Sequence, residues 1–175
     1  SLPKYIDDKV IESVLHSPQI APKVRLMVML MYRAGLRISE MTNVKTSDID
    51  GDMLHVIGKG NIERVVYLPK SLKTYIDMYA ELYLVGEDEY LITSRDGKMV
   101  SSTAWKNIKD AFTLVAQYKM NPHQLRHSYA MYLLLNGCDI VTIQHSLGHT
   151  DLKTTQVYLN ISDDLMRSQI QKVLG

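Results

Sequence analysis

A histidine and an arginine stand three residues apart in the run His123-Gln124-Leu125-Arg126-His127. Asn121 and Pro122 ahead of them suit an N-cap and a first helical position. A helix starting there turns His123 and Arg126 to one face. The guanidinium keeps its charge and offers a fork of N–H donors, and the imidazole adds another. That pair suits an anion with several oxygens, such as a phosphate. His127, four residues past His123, raises a metal as a second possibility. The zinc-protease pattern has Glu directly after its first His, where this chain has Gln124, and no third ligand is suitably spaced. No metal and no cofactor are expected.

Such a site lacks a nucleophile. Downstream come Leu147-Gly148-His149 and then Thr154-Thr155-Gln156-Val157-Tyr158. Upstream, Gly35-Leu36-Arg37-Ile38-Ser39-Glu40 supplies a second arginine, and Gly58-Lys59-Gly60 a lysine in a turn. Taken together, Arg37, Lys59, His123-x-x-Arg126, His149 and Tyr158 resemble the tyrosine recombinase (integrase) family, most closely its Xer-like branch. The resemblance runs over nearly the whole chain, and all six members stand in order.

The resemblance implies the roles. Tyr158 would be the nucleophile, attacking a DNA phosphodiester to give a 3′-phosphotyrosyl link that keeps the bond energy for rejoining. A free tyrosine is only about 0.1% phenolate at pH 7, so it needs a base or a positive field beside it. Arg37 and Arg126 would grip the non-bridging oxygens and stabilise charge in the transition state. Lys59 would be the general acid for the leaving 5′ oxygen, carried in on a mobile hairpin. His123 and His149 would hydrogen-bond the phosphate or order the nucleophile. Blander readings stand beside these. Arg37 has Glu40 three residues on and could form a surface ion pair with it. Lys59 could be an ordinary hairpin lysine. His127 is expected to pack in the core or behind the site, and His145 to face solvent.

The elements that must hold these residues can be read from periodicity. Ile6, Val10, Ile11, Val14 and Leu15 recur at helical spacing. Residues 23–34 form a strongly apolar helix ended by Gly35, and residues 39–44 a short one after Arg37. The pattern then switches to period two. Residues 53–57 and 64–68 read as strands flanking Gly58-Lys59-Gly60-Asn61, with a further strand near 47–50. Lys59 therefore lies at the tip of a hairpin in a small three-stranded antiparallel sheet. Pro69 opens a helix to about residue 85, and Tyr90-Leu91-Ile92 reads as a short extended piece. Ser101-Ser102 suits the cap of a helix through about residue 117. The remaining helices are read at 123–136, 139–146, 151–158 and 162–173, the last capped by Ser162. The fold expected is mainly α with one small sheet, the tyrosine recombinase catalytic-domain fold.

Composition bounds the rest. The 175 residues fit a single catalytic domain, and 46% hydrophobic content is ordinary for a packed core. The separate N-terminal DNA-clamping domain usual in the family has no counterpart in residues 1–175. No apolar run approaches ~18 residues. The single cysteine, Cys138, cannot form an internal disulfide and fits a reducing cytoplasm. Net charge is only +1, from 20 Lys and Arg against 19 Asp and Glu. Lys45, Lys59, Arg64, Lys119, Arg126 and Lys153 nevertheless fall near the motif segments, so one face can be basic. The partners implied are double-stranded DNA at a specific recombination site and further copies of the chain, as a tetramer on that DNA. A stripe in the tail, Leu165, Met166, Gln169, Ile170, Val173 and Leu174, must dock on its own domain or in trans on a neighbour. The activity implied is site-specific recombination. The alternatives are relaxation of one duplex by a type IB topoisomerase-like enzyme, or a silent DNA-binding module of the same fold. A helix-turn-helix regulator is disfavoured, since no recognition helix stands out.

Overall fold

The structure is a computed structural model that describes residues 5–148 and 152–175, without the side chains of 152–158. Helix α2 (Pro22–Arg33) is its centre. Leu26, Met27, Val28, Leu30 and Met31 on it are all fully buried. A helix apolar on nearly every side has to be surrounded. Here α1 (Asp8–Leu15), α3 (Ile38–Thr42), α4 (Lys70–Leu82), α5 (Ser101–Ala116) and α6 (His123–Leu135) all pack against it. Each such side chain removed from water contributes about 1.5–3 kcal/mol. Phe112 of α5 and Leu72 of α4 complete this core.

Strands β1 (Ile49–Asp50), β2 (Met53–Ile57) and β3 (Glu63–Tyr67) form the expected antiparallel sheet in the order β1-β2-β3. Leu54 and Val66 face each other across it and enter the core, while His55 and Tyr67 point out. The β2–β3 connection is a tight 3₁₀ turn, Lys59–Asn61, with Gly60 and Asn61 at φ of 75° and 61°. A second small cluster holds Tyr129, Met131 and Leu134 of α6 against Ile143 and Leu147 of α7 (Ile140–Leu147). Ile161 and Leu165 of α8 (Leu152–Leu174) pack on it.

Several boundaries depart from the periodicity reading. The two tail helices expected at 151–158 and 162–173 are one helix, α8, and Ser162 lies inside it rather than capping it. Ser, Asp and Asn favour caps, but the weak local preference yields when flanking residues keep helical pairing. Ser101 and Ser102 are the first two residues of α5; Val100 is its cap and offers no side-chain bond. Helix α4 stops at Leu82, short of 85, because Leu84 turns left-handed at φ 54°. Tyr90 makes only an isolated bridge to Lys45, and a further hairpin pairs β4 (Thr93–Ser94) with β5 (Gly97–Lys98). Strands of two residues are too short for alternation to reveal.

At the start of α6 the local chemistry is as expected. Pro122 has helical dihedrals (φ −55°, ψ −27°) one residue ahead of the helix proper. The Asn121 side chain accepts the His123 amide at 3.0 Å, and Gln124 reaches back to accept the Asn121 amide at 2.8 Å. Two donors with no partner inside the helix are thereby satisfied.

Candidate active site

Glu40 is the hub of the site. It lies on the short α3, which starts immediately after Arg37, and its side chain is only 3% exposed. One carboxylate oxygen accepts the Arg37 amide at 2.8 Å, a capping arrangement in which the acid three residues on secures the helix start. The same carboxylate faces three guanidinium groups. Arg64 forks onto both oxygens, Arg37 Nη1 lies 3.5 Å from Oε2, and Arg126 Nη1 lies 3.5 Å from Oε1. The ion pair of Arg37 with Glu40 that the sequence left open therefore forms, but it is buried at its acidic end, not on the surface.

Burial raises the Glu40 carboxyl. Hydrogen bonds from Arg64 and the Arg37 amide, with the charges of Arg64 and Arg126, outweigh that and hold it below the usual 4.5. One carboxylate among three guanidinium groups leaves an excess of positive charge. A charge excess in a partly desolvated cleft favours an oxyanion and the charge that builds on it. Arg37, with 34% of its side chain exposed, is the cation of this cluster most open to solvent; Arg64 and Arg126 are each 10% exposed.

The carbonyl end of α7 is tied into the same cluster. Arg126 Nη2 donates to the Leu147 carbonyl at 2.5 Å, and Arg64 Nε to the Ser146 carbonyl at 3.2 Å. Two cations on the last carbonyls of a helix complement its dipole and supply donors those oxygens lack within the helix. Tyr129 of α6 shares a hydrogen bond with the Ser146 hydroxyl at 2.6 Å. Gly35 admits the Tyr129 ring: its φ is +69°, and a Cβ there would fall 2.5 Å from ring atoms. The ends of α2 and α7 thus close on one tyrosine, and Arg37 follows two residues after that contact.

Arg37, Lys59, Arg64, Tyr129, Cys138, His145 and Gly148 all line one cavity of about 800 Å³ between the β2–β3 hairpin, α6 and α7. Lys59 is exposed at its mouth. His145 is exposed, as expected. His123 is not among the lining residues. It is exposed on the first turn of α6, its ring edge-on to Trp105 with centroids 5.1 Å apart. His127 is half-buried, and burial, with the charges of Arg126 and His123, holds its imidazole below the ordinary 6.5. The structure therefore joins Arg37 and Arg126 through Glu40 and lines one cavity with Arg37 and Lys59; Arg126, like His123, is not among the lining residues. His149 lies outside the described residues. Position 158 falls on α8, and the Tyr158 side chain also lies outside the described residues. Among the described residues no cluster of His, Cys, Asp and Glu could hold a metal ion. No helix among them is long and apolar enough to cross a membrane.

The motif reading gave Arg64 no role of its own in the site. A strand arginine two residues past a turn gives no local sign that its partners are 24 and 82 residues away.

Glu40 and His127 both titrate lower in the fold than in the open chain. Below the ordinary value of each, the unfolded chain binds more protons, so stability rises with pH there and falls on acidification. The urea midpoint is expected to hold steady between about pH 7 and pH 9. It should begin to fall below about pH 6.5 as His127 is forced to charge, and again below about pH 4.5 as Glu40 is protonated. Urea titrations at stepped pH measure this; a midpoint that climbs below pH 4.5 would contradict the Glu40 cluster.

The phage integrase family model matches residues 4–164. Tyrosine recombinase XerA of Thermococcus kodakarensis is 37% identical over 180 residues, which cover 98% of this chain and 63% of that protein. A crystal structure of XerA recombinase superposes with a TM-score of 0.81 at 27% identity, over 98% of this chain and 63% of that one. A λ integrase tetramer bound to a Holliday junction has the same fold, with a TM-score of 0.65 at 23% identity, over 85% of this chain and 47% of that one. The chain spans less than two thirds of the length of the curated relatives it matches, while 98% of its own length is matched. With six motif residues in order, an arginine-rich centre built on α3, β3 and α6, and this fold, the chain belongs to the phage integrase family of tyrosine recombinases.

Proposed function

We propose that this chain is the catalytic domain of a site-specific DNA recombinase that cleaves and rejoins strands through a 3′-phosphotyrosyl intermediate. The observation that carries this is the excess of guanidinium charge around one buried carboxylate, at the wall of an open cavity with Lys59 at its mouth. In the reaction, the Tyr158 oxygen bonds to phosphorus as the bond from phosphorus to the 5′ oxygen breaks. The phenolic proton passes to a neighbouring base. The leaving 5′ oxygen takes its proton from the Lys59 ammonium. Arg37 and Arg126 stabilise the charge on the non-bridging oxygens. His123 and His149 hydrogen-bond the phosphate or order the nucleophile. Tyr129, which also faces the cavity, is a poor candidate for attack. Its burial pushes the phenol up despite the hydrogen bond to Ser146, so its phenolate is scarcer than usual.

The test is incubation with a nicked duplex carrying a candidate site, read on a denaturing gel as a covalent adduct. The adduct is expected to form in EDTA, because arginine and lysine supply the positive charge that a divalent ion would otherwise bring. Cleavage that stops in EDTA and returns with Mg²⁺ would point to a nuclease instead.

We further propose that the tail of α8 docks in trans on another copy, as part of a tetramer on DNA. In support, Ile161 and Leu165 pack on their own domain, whereas Met166, Ile170, Val173 and Leu174 beyond them are 51–79% exposed. Cutting the chain after Arg167 should leave a folded domain that no longer assembles on paired sites. Light scattering on DNA, with circular dichroism as the folding control, reads both. Assembly that survives the cut rules the tail out as the trans contact.

A further inference from the structure

Arg64 is the residue through which three separate parts of the site are joined. It lies on β3, paired with Val56 across the hairpin that carries Lys59 at its tip. Its Nη atoms hold both Glu40 oxygens, and its Nε holds the Ser146 carbonyl at the end of α7. The neighbouring backbones close around it. A Cβ on Gly148 would fall 2.8 Å from Arg64 Cδ, and one on Gly58 would fall 3.1 Å from Glu40 Oε2 and 3.5 Å from Arg64 Nη1. Gly58 is the neck of the hairpin, its amide bonded to the Ile62 carbonyl at 2.8 Å, and Lys59 is the next residue. The turn itself touches little, and Lys59, Gly60, Asn61 and Ile62 are all exposed. The placement of Lys59 is therefore set at the neck, by what the neck rests on.

The same contacts commit Arg64 to the protein. All three of its nitrogens already bond to protein acceptors on two separate elements. We propose that Arg64 is a positioning residue: it locks the Lys59 hairpin to Glu40 and to the end of α7, so that the general acid meets the leaving oxygen when Arg37 and Arg126 hold the phosphate. This rests on the recombinase reading and on the general-acid role of Lys59. A lysine at position 64 would keep a cation beside Glu40. Its single ammonium could not fork both Glu40 oxygens and reach the Ser146 carbonyl at once.

The experiment separates proton delivery from everything else the arginine does. Two nicked duplexes are compared, one with the ordinary 5′ oxygen and one with sulfur at the scissile 5′ bridging position. A departing alkoxide needs a proton. A departing thiolate, whose thiol has a pKa of about 8.5, does not. On the oxygen substrate, Lys59→Ala should slow adduct formation by about 10²–10⁴-fold, the usual worth of a general acid. Arg64→Lys and Arg64→Ala should slow it by about 10²-fold, the cost of a misplaced group. On the sulfur substrate all three should recover to within several-fold of the parent, while Arg126→Ala should not.

An Arg64→Lys variant that cleaves the oxygen substrate at the parent rate overturns the proposal. So does one whose defect persists with sulfur, which would mean Arg64 supports the phosphate grip or the fold as a whole. Arg64→Ala leaves Glu40 short of a partner, and if it fails to fold, Arg64→Lys carries the comparison. Unfolding of Arg64→Lys itself also overturns it, since the residue would then serve the fold before the hairpin. Failure of sulfur to rescue Lys59→Ala removes the general acid that Arg64 is proposed to place. An unaltered chain that forms no adduct on either duplex overturns the recombinase reading, and this inference with it.

Discussion

Tyr158→Phe is expected to bind DNA as the parent does and to form no covalent adduct at all. The change removes one oxygen and keeps the ring, so the packing of α8 has little reason to alter. The candidate substitutes are the other nucleophiles that line the cavity. Two tyrosines line the cavity among the described residues: Tyr67 on β3, 67% exposed, and Tyr129, whose hydroxyl is engaged by Ser146 and whose phenol is pushed up by burial. Cys138 also lines the cavity, but attack by a thiol would leave a phosphothioester in place of a phosphotyrosine. The measurement is adduct yield on a nicked duplex, with a binding titration on the same duplex as control. Adduct that persists in Tyr158→Phe would show that another residue attacks. Mass spectrometry of the adducted peptide would then name it.

Arg126→Ala is expected to lower cleavage by about 10²–10³-fold, equivalent to about 2.7–4 kcal/mol of transition-state stabilisation. The side chain is held before any substrate arrives, by the Leu147 carbonyl on one nitrogen and Glu40 near the other. A donor fixed in advance needs no reorganisation as charge builds on the phosphate, and that preorganisation is what the alanine variant forfeits. DNA affinity should fall far less, because ground-state binding is spread over many phosphate contacts. Stability should also drop, since the Leu147 carbonyl loses its donor; an unsatisfied buried acceptor costs about 1–3 kcal/mol. Single-turnover cleavage, a binding isotherm and a thermal melt measure the three effects separately. Equal losses in cleavage and affinity would reduce Arg126 to a binding contact.

The two arginines flanking Glu40 differ in what their surroundings allow. Arg37 enters the site from the backbone position that starts α3, and a third of its side chain stays open to the cavity. Arg126 comes from the buried face of α6 and holds the end of α7 as well. A substitution at Arg126 therefore has a structural component that one at Arg37 largely lacks. The melt is what separates them.

Much of this molecule was legible from local pattern. The switch from helical spacing to alternation after residue 48 places a hairpin, and the Gly58-Lys59-Gly60 turn puts a lysine at its tip. Asn121 and Pro122 mark the start of α6, and the all-apolar run through Met31 marks the helix at the centre of the core. These features depend on residues within a few positions of one another, and backbone sterics and side-chain spacing act at that range. The six motif residues come instead from the resemblance to the family, as types in an order.

What the tertiary structure decided is who meets whom. Glu40 was readable as a partner for Arg37, three residues away, but not as the shared partner of Arg64 and Arg126, 24 and 86 positions on. Arg64 reads in the sequence as an ordinary strand residue; only the packing of β3 against α7 brings the Ser146 carbonyl and Gly148 to it. Only the docking of α5 near the start of α6 sets the Trp105 ring against His123. The tail shows the reverse error: Ser162-Asp163-Asp164 has the local signature of a helix start, yet α8 runs through it unbroken. Cap preference is worth about 1 kcal/mol, too little to interrupt a helix anchored by Ile161 and Leu165 on α6 and α7. Local propensity sets where elements can begin and end, whereas the burial of apolar faces against each other decides which distant charges are forced to share one carboxylate.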